Sequence, residues 1–211
     1  MKFVFILLTM IAFVSPALAD NTRDGFWFGT LGKKALDEKY SFWTEAQFRY
    51  NLDLGTMGQT LFRTGILRKL SDKHEVGLIM GFIQTGLLKE YRPTLQHSYQ
   101  ASKLGDLALS FRSRLEYRKL EDQIEESWRY RIQARAQVPL SPSLNFILWD
   151  EPFFNLSREK WTGDRTVERN RFFIGAGLPV WGNKIEFGYL NQFTPRKQDI
   201  TEHLLIAYVL Y

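Results

Sequence analysis

Arginine at every second position is the chemistry this chain offers. Between residues 107 and 119, Arg112, Arg114, Glu116 and Arg118 alternate with Phe111, Leu115 and Tyr117. Between 128 and 138, Arg129, Arg131 and Arg135 alternate with Trp128, Tyr130, Ile132 and Ala134. A guanidinium presents a planar fork of N–H donors that fits a carboxylate or a phosphate with two parallel hydrogen bonds. Six such groups on one face make either an anion-binding surface or the positive half of a salt-bridge network. Only Glu116 supplies a carboxylate within those two segments. The other candidates are Glu45, which shares its face with Trp43, Gln47 and Arg49, then Glu151 and Glu186. Pairing the two segments across 121–126 is expected to set Arg118 opposite Arg129, Glu116 opposite Arg131 and Arg112 opposite Arg135. Like charges facing each other on a ladder destabilise it, so partners from other strands are required.

Other chemistry finds little to work with. Cysteine is absent, which excludes disulfides, thiolate catalysis and zinc–thiolate sites. The histidines are His74, His97 and His203. Ser98 follows His97 directly, and neighbours on a strand face opposite ways, so these two cannot act as nucleophile and base. Ser102 or Ser110 can reach His97 only through the tertiary fold. No nucleophile elbow, phosphate loop or histidine–carboxylate metal spacing occurs, and no cofactor or metal is expected.

The elements that must position these arginines are strands, because the repeat has period two. Each such strand has one apolar face and one dense in guanidinium groups. In a soluble sandwich the apolar face would be the core and the arginines would face water. In an outer-membrane barrel the faces are reversed, with apolar residues against lipid and polar ones in the lumen. Three features favour the barrel. Lys2, the apolar run 3–14, Pro16 and Ala17-Leu18-Ala19 have the layout of a cleaved secretory leader over 1–19, leaving one domain over 20–211. Aromatics form 15 % of the chain, as suits girdles at two membrane interfaces. The last strand carries Leu205, Ala207, Val209 and the terminal aromatic Tyr211 on one face, an ending typical of bacterial outer-membrane barrels and suited to their assembly machinery.

Strand-like segments fall near 25–36, 40–52, 59–70, 75–87, 94–104, 107–120, 126–140, 143–156, 166–180, 183–194 and 200–211. That is eleven, whereas single-chain bacterial barrels have even counts. Within a range of 10–12, the expectation is therefore ten or twelve strands, with 94–104 the weakest segment. Short turns at 70–73, 105–106, 141–143 and 182–183 mark a periplasmic end. Longer charged connections at 89–93, 121–126, 157–166 and 194–199 mark the other end, where contact with lipopolysaccharide phosphates is an option for 158–169. A barrel of this size leaves a lumen between the filled interior of eight strands and the open channel of sixteen. Formal charge is +5, spread along the chain, so a nucleic-acid surface is not expected.

Phe111-Arg112-Ser113-Arg114-Leu115-Glu116-Tyr117-Arg118 resembles the Arg-x-Arg-x-Glu-x-Arg strand of the bacterial domain-of-unknown-function family numbered 2490. Arg129-Tyr130-Arg131 is similar to that family's next element. Asp150-Glu151-Pro152-Phe153, Asn170-Arg171 and Gly188-Tyr189 follow in its order. Gln96-His97-Ser98 departs from it, standing where a more acidic and basic element is expected. The resemblance implies an exported barrel-like protein and no particular activity. Three functional readings stand at this point. One is a narrow anion-preferring pore or binding lumen for a small anionic solute. Another is a structural barrel sealed by salt bridges, acting through its loops. The third is an enzyme modifying outer-membrane lipid.

Overall fold

The computed structural model describes residues 21–211, so the expected leader lies outside the described residues. Eleven strands follow one another: β1 (Asn21–Ala35), β2 (Tyr40–Asn51), β3 (Thr56–Lys69), β4 (His74–Thr85), β5 (Leu88–Gln100), β6 (Ala108–Leu120), β7 (Glu126–Ser141), β8 (Leu144–Asn155), β9 (Val167–Val180), β10 (Asn183–Thr194) and β11 (Ile200–Leu210). Each pairs with its sequence neighbours, and β1 meets β11 to close the barrel. The expected even count is corrected here. Strands that alternate in direction all the way round must be even in number, but β1 and β11 run parallel, from Asn21↔Ile200 to Leu31↔Leu210. One parallel seam admits an odd total.

The faces are reversed as the barrel reading requires. Leu78 is 71 % exposed on the outer wall, and Phe26, Phe28, Phe42, Phe48, Phe62, Met80, Leu95 and Leu205 are exposed beside it. Inside, Glu116 is fully buried, and Arg114 and Arg131 are 2 % and 3 % exposed. The described residues contain no helix.

The connection expected at 89–93 does not exist. The chain turns at Gly86 and Leu87, where Gly86 takes a positive φ of 58°, and 89–93 belongs to β5. Pro93 is the last residue of that expected connection. It keeps its place opposite Met80 on β4 while the β5–β6 pairing lapses between Tyr91 and Thr94. A residue without an N–H is tolerated where no ladder bond is needed. Pro152 repeats the device on β8, pairing with Asn170 while the β7–β8 ladder lapses between Arg131 and Ala134. Of the segment thought weakest, 94–100 is therefore part of a thirteen-residue strand, and 101–104 belongs to the connection that follows.

Connections at 36–39, 70–73, 101–107, 142–143 and 181–182 gather at one end with the C-terminus. Those at 52–55, 86–87, 121–125, 156–166 and 195–199 gather at the other. The β1–β2 connection shows how tightly a short one is made: the Asp37 carboxylate accepts the N–H groups of Lys39 and Tyr40, each at 2.7 Å. Those two bonds, the Lys39 one first, hold its carboxyl below the usual carboxylate range.

Candidate functional site: an arginine-walled lumen

The register between β6 and β7 places Glu116 opposite Arg129, Arg114 opposite Arg131, Arg112 opposite Gln133 and Arg118 opposite Ser127. The expected register is thus corrected by two residues. A two-residue slip keeps every side chain on its face, so alternation alone could not distinguish the registers. Like-charge repulsion does: both registers put Glu116 across from an arginine, but the observed one replaces two arginine confrontations, Arg118–Arg129 and Arg112–Arg135, with one, Arg114–Arg131.

Toward the end that carries the 121–125 and 156–166 connections, the lumen is packed with ion pairs. Arg129 Nε donates to Glu116 Oε2 at 2.8 Å, and its Nη1 donates to Glu168 Oε2 at 2.7 Å. Arg118 Nε donates to Glu90 Oε1 at 2.7 Å, and Arg92 lies 2.8 Å from the same oxygen. Trp161, from the long β8–β9 connection, lies with its ring centroid 4.9 Å from the Arg118 guanidinium. Asn155 holds that connection by donating to the carbonyls of Thr162 and Arg165. Only a void of about 60 Å³ remains among these groups.

The other half of the lumen is open. A cavity of about 640 Å³ reaches the end that carries the short turns, bounded there by Lys33, Glu75, Gln100, Lys103 and Lys184. Ten cationic side chains line it against the four carboxylates of Glu45, Glu75, Glu151 and Glu186, so its potential is positive. Some of these cations are matched: Arg63 donates to Glu45 at 3.0 Å, Arg112 to Glu151 at 3.3 Å, and Arg135 to Glu186 at 2.6 Å. Lys184 also lies 2.7 Å from Glu186. Three arginines are not matched by any carboxylate within 4 Å among the described residues. Arg49 donates to Gln47 and Gln59, Arg114 to Gln96, and Arg171 to Gln192. Arg49 and Arg171 stack on Trp27, at 3.9 and 4.9 Å from its ring centroid, and Arg114 reaches across the lumen toward Trp43 at 5.5 Å.

The Arg114–Arg131 position is the most polarised. Arg131 Nε is 3.2 Å from Glu116 and its Nη1 is 3.5 Å from Glu151, yet Arg131 Nε and Nη2 make no hydrogen bond. Arg114 Nη2 and Arg112 Nε lack one too. Buried guanidinium donors left without acceptors are costly.

All eleven sequence-selected residues, from Glu45 and Arg49 through β6 and β7 to Glu151 and Glu186, face this lumen. Arg118, Glu116 and Arg129 fall in its ion-paired half, and the others line the cavity. Sequence reasoning missed Arg63, Glu90, Arg92, Glu168 and Arg171. Arg63 and Arg171 carried the same period-two signal on shorter runs, while Glu90 and Arg92 were lost with the misread connection. Trp27 and Trp43 line the lumen. Gly77 packs under Leu67, where a Cβ would lie 2.3 Å from a side-chain methyl. His97 is on the outer wall, its Nε2 3.0 Å from His74 Nδ1. Ser98 and Ser110 line the cavity, and Ser102 accepts from Lys73.

Comparison with known proteins places this geometry. The family described as "Protein of unknown function (DUF2490)" matches residues 24–203. An uncharacterized protein of Methylorubrum extorquens is 27 % identical over 206 residues, covering 90 % of this chain and 87 % of its own. Among solved structures, the NanC porin superposes with a TM-score of 0.53 at 11 % identity, over 83 % of this chain and 88 % of that one. LpxR from Salmonella typhimurium superposes with a TM-score of 0.50 at 6 % identity, over 81 % and 83 %. At such identities the likeness is one of fold.

Proposed function

We propose that this chain, which belongs to the DUF2490 family of proteins of unknown function, is an outer-membrane barrel whose lumen holds a small anion. The leader-like N-terminus, the apolar outer wall and the likeness to a porin fold support the address. The short-turn end, with the C-terminus, then faces the periplasm and the cavity opens there. The observation that carries the anion reading is the Arg114–Arg131 pair: two guanidiniums opposite each other, buried, each with an Nη2 that no protein acceptor meets. A carboxylate or phosphate seated between them satisfies those donors and offsets the like-charge repulsion at once.

Tryptophan emission is the natural readout, since Trp27 and Trp43 touch the lumen arginines. Titrating purified barrel with acetate and with inorganic phosphate should give a saturable change. Arg114→Gln and Arg131→Gln should each weaken it about tenfold, the loss of roughly one charged hydrogen bond. No saturable change with either anion contradicts the reading.

A second reading, a structural barrel with a sealed lumen, is favoured by the ion-paired layer around Glu116. Planar-bilayer recording decides between a conducting lumen and a cup. Discrete current steps with anion preference mean passage, and silence means the layer holds shut.

A further inference from the structure

The cavity mixes charged and apolar walls. Four of its ten cations, Arg112, Arg114, Arg131 and Arg135, lie on β6 and β7, and the others are spread over β1, β2, β3, β9, β10 and the β5–β6 connection. Around the ring, β1 lies five strands from β6 in one direction and five from β7 in the other, so it stands diametrically across. There apolar residues stand among Lys33, Arg49, Arg63 and Arg171. Trp27 and Leu31 on β1 are flanked by Leu67 on β3, Phe173 on β9, and Ile206 and Leu210 on β11, all lining the same cavity. Two buried apolar clusters back this wall. Trp27 packs with Phe173, Leu190, Leu204 and Ile206, and Trp43 packs with Leu67 and Ile79 beside Leu31.

This arrangement is unusual for the inside of a membrane barrel. A lumen that only conducts hydrophilic solutes is lined by polar groups. Trp27, Leu67, Phe173 and Ile206 are already buried, which leaves the half-buried Leu31 and Leu210 as the apolar surface that a ligand would cover. A pocket of mixed apolar surface with a few convergent donors is the form of a small-molecule site. Its volume of about 640 Å³ exceeds what one inorganic anion fills.

Resting on the anion reading, we infer that the ligand is an amphiphilic carboxylate: a single carboxylate head on a short unbranched apolar chain. The head sits on the unpartnered donors of Arg114 and Arg131. The chain lies along the β1–β3 and β9–β11 wall with its end toward the open mouth. A planar carboxylate suits the Arg fork, and one charge suits a seat made by one opposed pair. Glu45 and Glu151 border that seat and disfavour a second negative charge.

The test is a chain-length series, acetate, butyrate, hexanoate and octanoate, titrated calorimetrically into barrel held in lipid nanodiscs, with empty discs as the blank. Each methylene moved from water onto an apolar wall contributes about fourfold in affinity, diluted where the chain remains half wet. Affinity should therefore climb at least tenfold from butyrate to octanoate. Leu31→Ser should flatten that climb, lowering octanoate affinity more than acetate affinity, and the double change Arg114→Gln, Arg131→Gln should abolish binding at every length. Acetate and octanoate binding equally well overturns the amphiphile and leaves the anion seat standing. Octanoate binding undiminished in the double arginine variant overturns the head-group assignment and the anion reading with it. No binding anywhere in the series overturns both. The series itself needs no variant to fold.

Discussion

Glu116 concentrates the energetics of the lumen in one side chain. It is fully buried, hydrogen-bonded by Arg129 and at ion-pair distance from Arg131. Taking one partner from a buried pair leaves an uncompensated charge and costs about 3–5 kcal/mol. Glu116→Gln should therefore lower the urea midpoint of the folded barrel markedly, whereas Gln137→Ala, at the wet mouth, should leave it within the error of the wild type. Equal midpoints would mean that solvent reaches Glu116. At this scale much was legible in advance. Alternation alone put Arg112, Arg114, Glu116, Arg118, Arg129, Arg131 and Arg135 on one face. It could not say which arginine each carboxylate meets, because a slip of two residues preserves the face and changes every partner. Nor could it find the arginines stacked on Trp27, since that contact joins β1, β2 and β9 across the parallel seam.

At the scale of the strand, the informative residues are prolines and glycines. Pro93 reads as the end of a connection when the sequence is taken locally, so β5 was expected to begin at 94 and not at Leu88. A sheet needs an N–H only where a neighbour accepts it, and the lapse in the β5–β6 ladder that accommodates Pro93 is a property of the assembled barrel. Gly175 and Gly188 face each other across β9 and β10 under the ring of Phe173. A Cβ on Gly175 would stand 2.3 Å from the Phe187 carbonyl oxygen, and one on Gly188 would stand 2.3 Å from that of Ile174. Both obstacles are backbone. Gly175→Ala should thus reduce the folded fraction several-fold, read as the share of protein that resists unfolding in detergent without heat, while Gly58→Ala, with room around it, should not. The β1–β2 turn adds a pH dependence. Because the Asp37 carboxyl titrates below its unfolded value, its bonds to Lys39 and Tyr40 stabilise the turn fully above the usual carboxylate range. They are lost as pH falls through the lowered value. Protection of the Lys39 and Tyr40 amides, relative to their intrinsic exchange rates, should fall on acidification through that value, and Asp37→Asn should blunt the dependence.

At the scale of the whole molecule, a closed wall with apolar residues outward and arginines inward was legible from period two together with the leader-like N-terminus. The count was not, because parity depends on how the first and last strands meet. Nothing in either strand's own sequence states that they run parallel. The parallel seam between Asn21–Leu31 and Ile200–Leu210 also carries a consequence. Cysteines placed at the paired positions Phe28 and Ala207 should crosslink under oxidation, whereas Phe28 with Leu204 should not, if the barrel closes in this register.

Every functional statement above depends on the two faces being assigned correctly, so the most direct test is where the protein resides and how it behaves there. Expressing cells are fractionated, and the outer-membrane fraction is run on a denaturing gel with and without boiling. The account predicts a band in that fraction whose mobility changes on heating, the mark of a barrel that detergent alone does not unfold. A soluble periplasmic protein with no heat shift would contradict it, placing the apolar wall in water and leaving the lumen arginines without the role assigned to them.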